Sequence, residues 1–317
     1  RDCMADSIPI VIICGQVPTG AIGTDAFQEA PVTAIMGAVA KHVLLVTDPE
    51  QLEANVRTAF EIARTGRPGP VVVDVPKDVQ NWEGPFRGEG RLAIPGYRQR
   101  LEAVQGNTLS EERCAEFFAM LGESKRPLIY AGGGVIKANG SPGLRALAET
   151  FEIPVVTTLM GLGCMDTTRP LSLHMLGMHG TAYANYAADD CDLLIAMGAR
   201  FDDRVAGVPA AFAAKAHRVL HFDIDPSEIS KVKRADWHYV GPMQPALDAL
   251  VAHGSSMGFS GDFSDWHDET ANLKSTYALN YDRESELVQP HYVLETMNRI
   301  TGGEAIVSTG VGQHQMW

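Results

Sequence analysis

The stretch Pro127-Leu-Ile-Tyr-Ala-Gly-Gly-Gly134 is a short apolar run that ends in three glycines. A continuous apolar run of this length, bounded by turn-forming residues, is typical of a strand that is buried on both faces. Successive glycines carry no side chain, so a ligand can approach the backbone closely where the strand ends. The pattern predicts a strand, a Gly-rich turn and then a helix.

Similar apolar runs recur along the chain and are separated by stretches of helical length. The predicted strands are residues 8–14, 43–46, 70–75, 127–131, 154–157, 192–197, 219–224 and 305–308. The predicted helices are residues 49–65, 110–123, 141–151 and 290–300. Strands of this kind alternating with helices predict an α/β fold with parallel sheets flanked by helices.

The domain organisation follows from composition. Residues 81–107 are rich in Gly, Pro, Arg and Gln, which is typical of a linker, and residues 252–268 are only weakly apolar. We expect a first α/β piece at 1–80, a complete doubly wound middle domain at 108–270, a second linker at 271–284 and a last piece at 285–317.

Length, composition and charge exclude several classes of protein. With 317 residues, 45% hydrophobic and 21% charged, the chain is long enough for two domains and is not of disordered composition. The net charge of −13 argues against nucleic acid or an anionic membrane as partner, because both require a basic surface. No apolar run approaches the ~20 residues of a membrane span.

Cysteine and histidine spacings give no metal or covalent catalytic site. The 5 cysteines include no CxxC pair, and His174 and His179 are five apart with no acid between them. Contact with a cofactor or packing within a loop suits these histidines better than a metal. No GxSxG, SxxK or Cys/His arrangement indicates a covalent hydrolase.

Polar or glycine-rich segments follow three strands of the middle domain. They are Gly132-Gly-Gly134, the run Gly198-Ala-Arg-Phe-Asp-Asp-Arg204, and Asp223-Ile-Asp225. The carboxyl ends of parallel strands lie at one edge of a sheet, where glycine turns, cations and acids suit the backbone, phosphates and ribose of a nucleotide. Each segment has another interpretation: a tight turn for the glycines, and a surface ion-pair cluster for the charges.

Several longer segments resemble the catalytic subunit of the acetohydroxyacid synthase (acetolactate synthase) family. They cover nearly the whole chain in order and are GQVP and IGTDAFQE between residues 15 and 29, KH at 41–42, GRPGPVVVDVPKD at 66–78, TLMGLG at 158–163, LSLHMLGMHGTAYANYA at 171–187, GARFDDRVAG at 198–207 and STGVGQHQMW at 308–317. The segments IGTDAFQE, LGMHGTxYAN and RFDDRV are the most specific.

The resemblance implies a thiamine diphosphate (ThDP) enzyme. The family uses ThDP with Mg²⁺ to decarboxylate pyruvate and to join the two-carbon fragment to pyruvate or 2-oxobutyrate, in the biosynthesis of the branched-chain amino acids valine, leucine and isoleucine. It implies part of a pyrimidine-binding domain at 1–80, an FAD-binding middle domain, and the start of a diphosphate-binding domain at 285–317. It also implies a homodimer or homotetramer, a small regulatory subunit in some members, and a location in the cytoplasm or in a plastid.

Site residues carry over where this sequence matches the family's motifs. The expected FAD contacts are Arg67, Gly133, Thr158, Leu159, Leu176, Gly177, Met178, His179, Gly198, Ala199, Arg200, Phe201, Asp202, Asp203, Arg204, Asp223 and Ile224. Phe27, Gln28 and Lys77 are expected on the active-site wall, and Gln313 and His314 at the diphosphate end of ThDP. A solvated lysine is an equally good interpretation of Lys77.

Departures from the family pattern also lead to expectations. The Glu that activates ThDP and the GDG…N segment that binds Mg²⁺ are not in these 317 residues, so we expect a piece of a longer enzyme that is inactive alone. Gly241-Pro-Met243 replaces a Gly-Asp pair that is common near the adenine of FAD. Glyoxylate carboligase, a pyruvate oxidase relative and a non-catalytic nucleotide-binding module remain alternative interpretations.

Overall fold

Two parallel sheets form the framework of the chain in a computed structural model that describes residues 1–88 and 90–313. The strands are β1 (Val11–Gln16), β2 (His42–Leu45), β3 (Val71–Pro76), β4 (Pro127–Ala131), β5 (Val155–Thr157), β6 (Ser172–Met175), β7 (Leu193–Met197), β8 (Arg218–Asp223) and β9 (Trp237–Val240). The helices are α1 (Asp2–Ala5), α2 (Val32–Gly37), α3 (Leu52–Arg64), α4 (Lys77–Gln80), α5 (Tyr97–Gln105), α6 (Glu111–Glu123), α7 (Gly133–Lys137), α8 (Ser141–Thr150), α9 (Ala182–Asp190), α10 (Asp203–Ala206), α11 (Met243–Ser256), α12 (Ser264–Thr276) and α13 (Pro290–Thr301). The α/β class and the parallel pairing predicted from the sequence are confirmed.

The first sheet has the order β1-β3-β2, and β3 is buried along its whole length. Its valines are β-branched residues that suit a strand covered on both faces. By contrast, β1 pairs only with β3 among the described residues and leaves the Ile13 side chain 62% exposed. The prediction that this strand is buried on both faces is therefore wrong, because it lies at the edge of its sheet.

The second sheet has the order β6-β5-β4-β7-β8-β9. The chain runs outward from β4 to β6 and then returns to β7 on the other side of β4, which makes the sheet doubly wound. In such sheets a crevice opens at the carboxyl ends of the two strands where the direction reverses. Here those strands are β4 and β7, paired from Pro127–Leu193 to Ala131–Met197.

Helix positions follow local capping signals. The Ser110 hydroxyl accepts a hydrogen bond from the Arg113 backbone N–H at 3.3 Å and starts α6, as the sequence predicts. Thr181 caps α9 in the same way through the Ala184 N–H at 3.2 Å. The apolar faces of α6, α8 and α11 contribute to the core beside this sheet.

The core beside the second sheet includes side chains of α12. Part of this helix lies in residues 252–268, which are only weakly apolar in sequence. Trp266 is 1% exposed, and its indole N–H donates to the Pro127 carbonyl at 3.0 Å. Leu92, Ile94 and Tyr97, from the stretch predicted as a linker, pack against the core of the first sheet. Both stretches therefore carry packed side chains.

One predicted strand is wrong. Residues 305–308 form no strand, and Ile306 is fully exposed. An apolar run becomes a strand only when a neighbouring strand supplies hydrogen-bond partners, and no described residue pairs with this segment.

Candidate functional site

A cavity of about 1100 Å³ lies at the carboxyl ends of the second sheet. Segments that follow β4, β5, β7, β8 and β9 line it, and the loop before β3 closes it from the side of the first sheet. This is the crevice expected at the reversal between β4 and β7. Its volume is that of a site for a large organic ligand.

The glycines after β4 and β7 allow these two strand ends to approach each other. The Gly132 N–H donates to the Met197 carbonyl at 2.9 Å, and the Gly134 N–H donates to the Gly198 carbonyl at 3.1 Å. A Cβ on Gly132 would lie 2.2 Å from the Gly198 oxygen. The tight-turn interpretation therefore accounts for Gly132 and Gly134, whereas a Cβ on Gly133 would lie 2.8 Å from the Met160 side chain.

Most of the predicted FAD contacts come together on this cavity. Those that line it are Arg67, Gly133, Thr158, Leu159, Gly198, Ala199, Arg200, Phe201, Asp202, Asp203, Arg204, Asp223 and Ile224. The three strand ends that the sequence analysis singled out thus lie around one space. Their arrangement fits a ligand that carries both negative charge and hydroxyl groups.

The segment after β7 is held by a buried aromatic ring. Phe201 is 2% exposed, adopts a left-handed φ of 57°, and lies 5.4 Å from the Tyr130 ring and 5.3 Å from the His221 ring, between centroids. The side chain of Asp202 accepts from the Arg204 N–H at 3.0 Å and begins α10. The ion-pair interpretation is weak for Arg200, whose guanidinium lies 3.9 Å from both Asp6 and Asp202.

Asp223 ends β8 as a buried carboxyl group. Burial raises its pKa to about 6, and the nearby carboxylates of Asp225 and Glu228 add to this, while a hydrogen bond from the Asp225 N–H opposes it. His221, two residues earlier, is fully buried and within hydrogen-bonding distance of the Ala199 carbonyl, at 2.9 Å from Nε2. Burial lowers the pKa of this imidazole.

Arg67 reaches the cavity from the loop before β3. Its guanidinium is 16% exposed and pairs with Asp225 at 3.3 Å and with Glu228, whose side chain is 3% exposed. It also donates to the Ser7 hydroxyl at 3.0 Å. Arg67 therefore joins the first sheet's unit to the end of β8.

Lys41 supports the loop that carries Arg67. Its ammonium donates to the carbonyls of Ile62 and Thr65 at 2.5 and 2.6 Å, at the carboxyl end of α3. Desolvation lowers its pKa to about 8. No local sequence pattern indicates this cap, because Lys41 is 21 and 24 positions away from its two acceptors along the chain.

The loop after β6 lies beside the cavity, and its four predicted residues Leu176, Gly177, Met178 and His179 are not on the lining. Asn185 clamps the loop: its side chain accepts from the Gly177 N–H at 2.8 Å and donates to the Gly177 carbonyl at 3.1 Å. His174 lies 2.6 Å from the Tyr183 hydroxyl. These contacts agree with loop packing.

The residues predicted for the active-site wall lie elsewhere. Phe27 is 91% exposed, Gln28 has a left-handed φ of 66°, and Lys77 is exposed at the start of α4. None of the three lines the cavity. Gln313 is exposed and away from it, and His314 lies outside the described residues.

A network of polar side chains holds the loops around Phe27. The Glu29 carboxylate accepts from the Gly23 and Ala26 N–H groups, the latter at 3.1 Å. The Gln16 amide donates to the Ala30 carbonyl at 2.8 Å and to Asp74 at 3.2 Å. The Asp78 carboxylate binds the backbone and the hydroxyl of Thr19.

Sequence reasoning missed several residues of the lining. Among them are Lys137, Met160, Glu228 and Gln244. Glu228 carried a usable signal, since it follows the Asp223-Ile-Asp225 strand end within one turn. Gly241, Pro242 and Met243, where the sequence departs from the family, also lie on the lining, and the Gly241 N–H donates to the Asp223 carbonyl at 3.1 Å.

Residues 1–88 and 90–313 show neither a metal site nor a membrane-spanning helix. No group of His, Cys, Asp and Glu side chains there is arranged to hold a metal ion. Within the same residues, no helix combines the length and the apolar character needed to cross a membrane. The cysteines are free thiols, and three of them, Cys114, Cys164 and Cys191, are buried.

Comparison with known proteins agrees with this architecture. Residues 114–250 match the family model described as thiamine pyrophosphate enzyme, central domain. Over its whole length the chain is 45% identical to acetolactate synthase 1, chloroplastic, of Zea mays, of which it covers 49%. It is 46% identical to acetolactate synthase 1, chloroplastic, of Oryza sativa subsp. japonica (48% covered) and 44% identical to the acetolactate synthase large subunit of Corynebacterium glutamicum (50% covered).

The doubly wound sheet lies in the part of the chain that resembles the central domain of thiamine pyrophosphate enzymes. Along its full length the chain is similar to plant and bacterial acetolactate synthases. The chain spans about half the length of these relatives.

Proposed function

We propose that this protein is the catalytic subunit of an acetolactate synthase. It would decarboxylate pyruvate with ThDP and Mg²⁺ and join the two-carbon unit to pyruvate or 2-oxobutyrate, in branched-chain amino-acid biosynthesis. The observation that carries the proposal is the 44–46% identity to acetolactate synthases along the entire chain. The alternative functions considered from the sequence, such as that of a glyoxylate carboligase, have no observation in their favour.

The proposal includes FAD as the occupant of the cavity, and the residues present fit it. Arg200 and Arg204 supply positive charge beside Gly133, where no Cβ blocks the backbone. Asp223 supplies an acceptor at the end of β8, where a ribose hydroxyl binds in doubly wound sheets. Leu159 is 67% exposed and, with Met160, offers an apolar wall for a flat ring. In this family's reaction FAD would undergo no net redox change.

The thiamine side of the proposal rests on Phe27, Gln28 and Lys77, with Gln313 and His314 near the diphosphate of ThDP. The polar network around Glu29, Gln16 and Asp78 would hold the wall residues in place. Among the described residues, no group of His, Cys, Asp and Glu side chains is arranged to hold Mg²⁺.

Assembly and compartment complete the proposal. We propose a homodimer or homotetramer, with a regulatory subunit as a further partner. Large apolar side chains are exposed near both ends of the chain, for example Ile13 (62% exposed) on β1 and Ile300 (73% exposed) on α13, and such surfaces favour contact with another subunit. The plant relatives are named chloroplastic, and the bacterial one carries no such label. A plastid or the cytoplasm would suit the protein accordingly.

Two measurements test the proposal. Titration of the 317-residue chain with FAD, followed by flavin fluorescence, should give saturable binding of one FAD per chain. Gly133→Val should abolish it, because the added side chain would collide with Met160, whereas Gly20→Val adds atoms where nothing lies within 4 Å of an added Cβ. If Gly133→Val and Gly20→Val bound FAD equally well, this cavity would not be the FAD site.

The enzymatic part requires the protein expressed from its complete coding sequence. Acetolactate should form from pyruvate only when ThDP and Mg²⁺ are supplied. No ThDP-dependent turnover of pyruvate, or turnover of separately added glyoxylate in its place, would overturn the assignment. We expect the 317 residues alone to be inactive in the same assay.

A further inference from the structure

Lys137 is a cation of the cavity that neither the sequence motifs nor the predicted FAD contacts include. It is the last residue of α7, the short helix that follows the glycines after β4, and its side chain lines the cavity. No ion pair or hydrogen bond of its ammonium occurs among the described residues. A cation in a cavity wall that has no hydrogen-bonded counter-ion is a candidate contact for an anionic ligand.

Neighbouring charges show that Lys137 belongs to a cluster of cations. Partial desolvation lowers the pKa of Lys137; the Asp6 carboxylate opposes this shift, and the cations of Arg200 and Arg67 add to it. Lys137 and both arginines line the cavity, and each arginine repels the Lys137 ammonium. Their mutual repulsion is relieved when an anion binds between them.

Arg67 and Arg200 differ from Lys137 in the carboxylates that lie near their charges. Arg67 is already neutralised by Asp225 and by the buried Glu228. Arg200 has carboxylates only at 3.9 Å, beyond direct hydrogen bonding. Lys137 and Arg200 are thus among the cavity's cations that have no hydrogen-bonded carboxylate among the described residues, as is Arg204.

The position in the sheet indicates the chemistry of that ligand. Asp223 lies at the end of β8, where the proposed function places a ribose, and Lys137 ends the short helix that follows the glycines after β4. In doubly wound sheets the phosphates of a bound nucleotide lie at the turn after the first strand of the fold, which here is β4. Lysine binds phosphate as a point charge on a flexible stem, without the fixed geometry that arginine requires.

We propose that Lys137 binds the diphosphate of an adenine dinucleotide in this cavity, together with Arg200. The inference rests on the proposed function, since it takes FAD as the natural occupant. It adds a specificity-determining residue: Lys137 would favour nucleotides with two phosphates over those with one.

The test compares the wild-type chain with Lys137→Gln, Lys137→Arg and the control Lys125→Gln. Lys125 is an exposed lysine just before β4, at the opposite end of the same strand. Dissociation constants for FAD and for ADP are measured by calorimetry at two salt concentrations. Loss of one charge-assisted contact should weaken both ligands about tenfold in Lys137→Gln, and Lys137→Arg should stay within about threefold of wild type.

Salt dependence separates a direct contact from a structural effect. Because salt screens charge pairs, Lys137→Gln should lose affinity less steeply with salt than the wild type does. An unchanged affinity, or a weakened affinity with an unchanged salt dependence, would overturn the proposal. Lys125→Gln should match the wild type in both measurements.

The two ligands also distinguish this inference from the proposed function. If the wild-type chain binds ADP in a Lys137-dependent way but does not bind FAD, the FAD assignment fails and the diphosphate contact stands. If it binds neither ligand, both fail. If it binds FAD normally while Lys137→Gln has no effect, only the role of Lys137 is wrong.

Discussion

Burial of the Asp223 carboxyl group lowers the stability of the fold, while the proposed function requires the same group as a ligand contact. Its burial at the end of β8 raises its pKa to about 6 from an ordinary value of 3.8. Between these two values the folded chain binds more protons than the unfolded chain, so the folded state loses stability as the pH rises through 6. A site residue that destabilises the fold while it serves a ligand is a common compromise.

Asp223→Asn should reveal that compromise. The amide keeps an oxygen that can accept from the Asp225 N–H but removes the buried charge. We expect its free energy of unfolding to exceed that of the wild type by about 1–2 kcal/mol at pH 8, with no difference at pH 4. Urea unfolding at both pH values measures this, and a difference that does not change with pH would contradict it. FAD affinity should fall in the same variant.

At the scale of elements, the junction of β4 and β7 depends on glycine. Gly198 has a φ of 58°, and a Cβ there would lie 2.7 Å from the Gly134 Cα. Gly198→Ala should therefore lower the free energy of unfolding by about 2–4 kcal/mol, because backbone strain and a backbone contact add together. Thermal unfolding checks this against Gly20→Ala, whose added Cβ meets nothing within 4 Å. Equal midpoints for both variants would refute the close approach.

The docking of α12 offers a second element-scale prediction. Trp266 fills the core beneath β4, so Trp266→Ala should cost about 3–5 kcal/mol of stability. Trp266→Phe keeps most of the apolar volume and loses the hydrogen bond to Pro127, with an expected cost of about 1–2 kcal/mol. Denaturant unfolding of the two variants measures the difference. If Trp266→Ala lowered the free energy of unfolding by less than an ordinary surface substitution does, α12 would not belong to this core.

These elements also show what the sequence could and could not predict. Buried runs such as that of β4 reveal parallel strands, and polar groups at their ends reveal the cavity. The strand β9 was missed because it alternates buried Trp237 with exposed His238, and residues 305–308 were misassigned because an apolar run does not reveal whether a partner strand exists. Lys137 carries no sequence signal, because a single lysine at the end of a helix is ordinary and becomes informative only beside Arg200.

At the scale of the whole molecule, the contact between Arg67 and Glu228 helps to join the units of the two sheets at the site. Arg67 and Glu228 are 161 positions apart in the sequence, so no local pattern reveals the pair. With Arg67 removed, the Glu228 carboxylate would keep Lys231 at 3.0 Å as its remaining ion-pair partner while staying buried. Removal of one member of a buried pair costs more than the pair itself contributes.

A double-mutant cycle tests whether this contact holds the units together. Free energies of unfolding are measured for Arg67→Met, Glu228→Gln and the double variant, and we expect a coupling of about 1–3 kcal/mol. The control cycle uses Arg218 and Glu123, a pair at 3.0 Å whose side chains are 47% and 65% exposed, where we expect at most about 0.5 kcal/mol. Similar couplings in the two cycles would mean that Arg67 contributes no more than a surface ion pair, and that the cavity does not depend on it for closure.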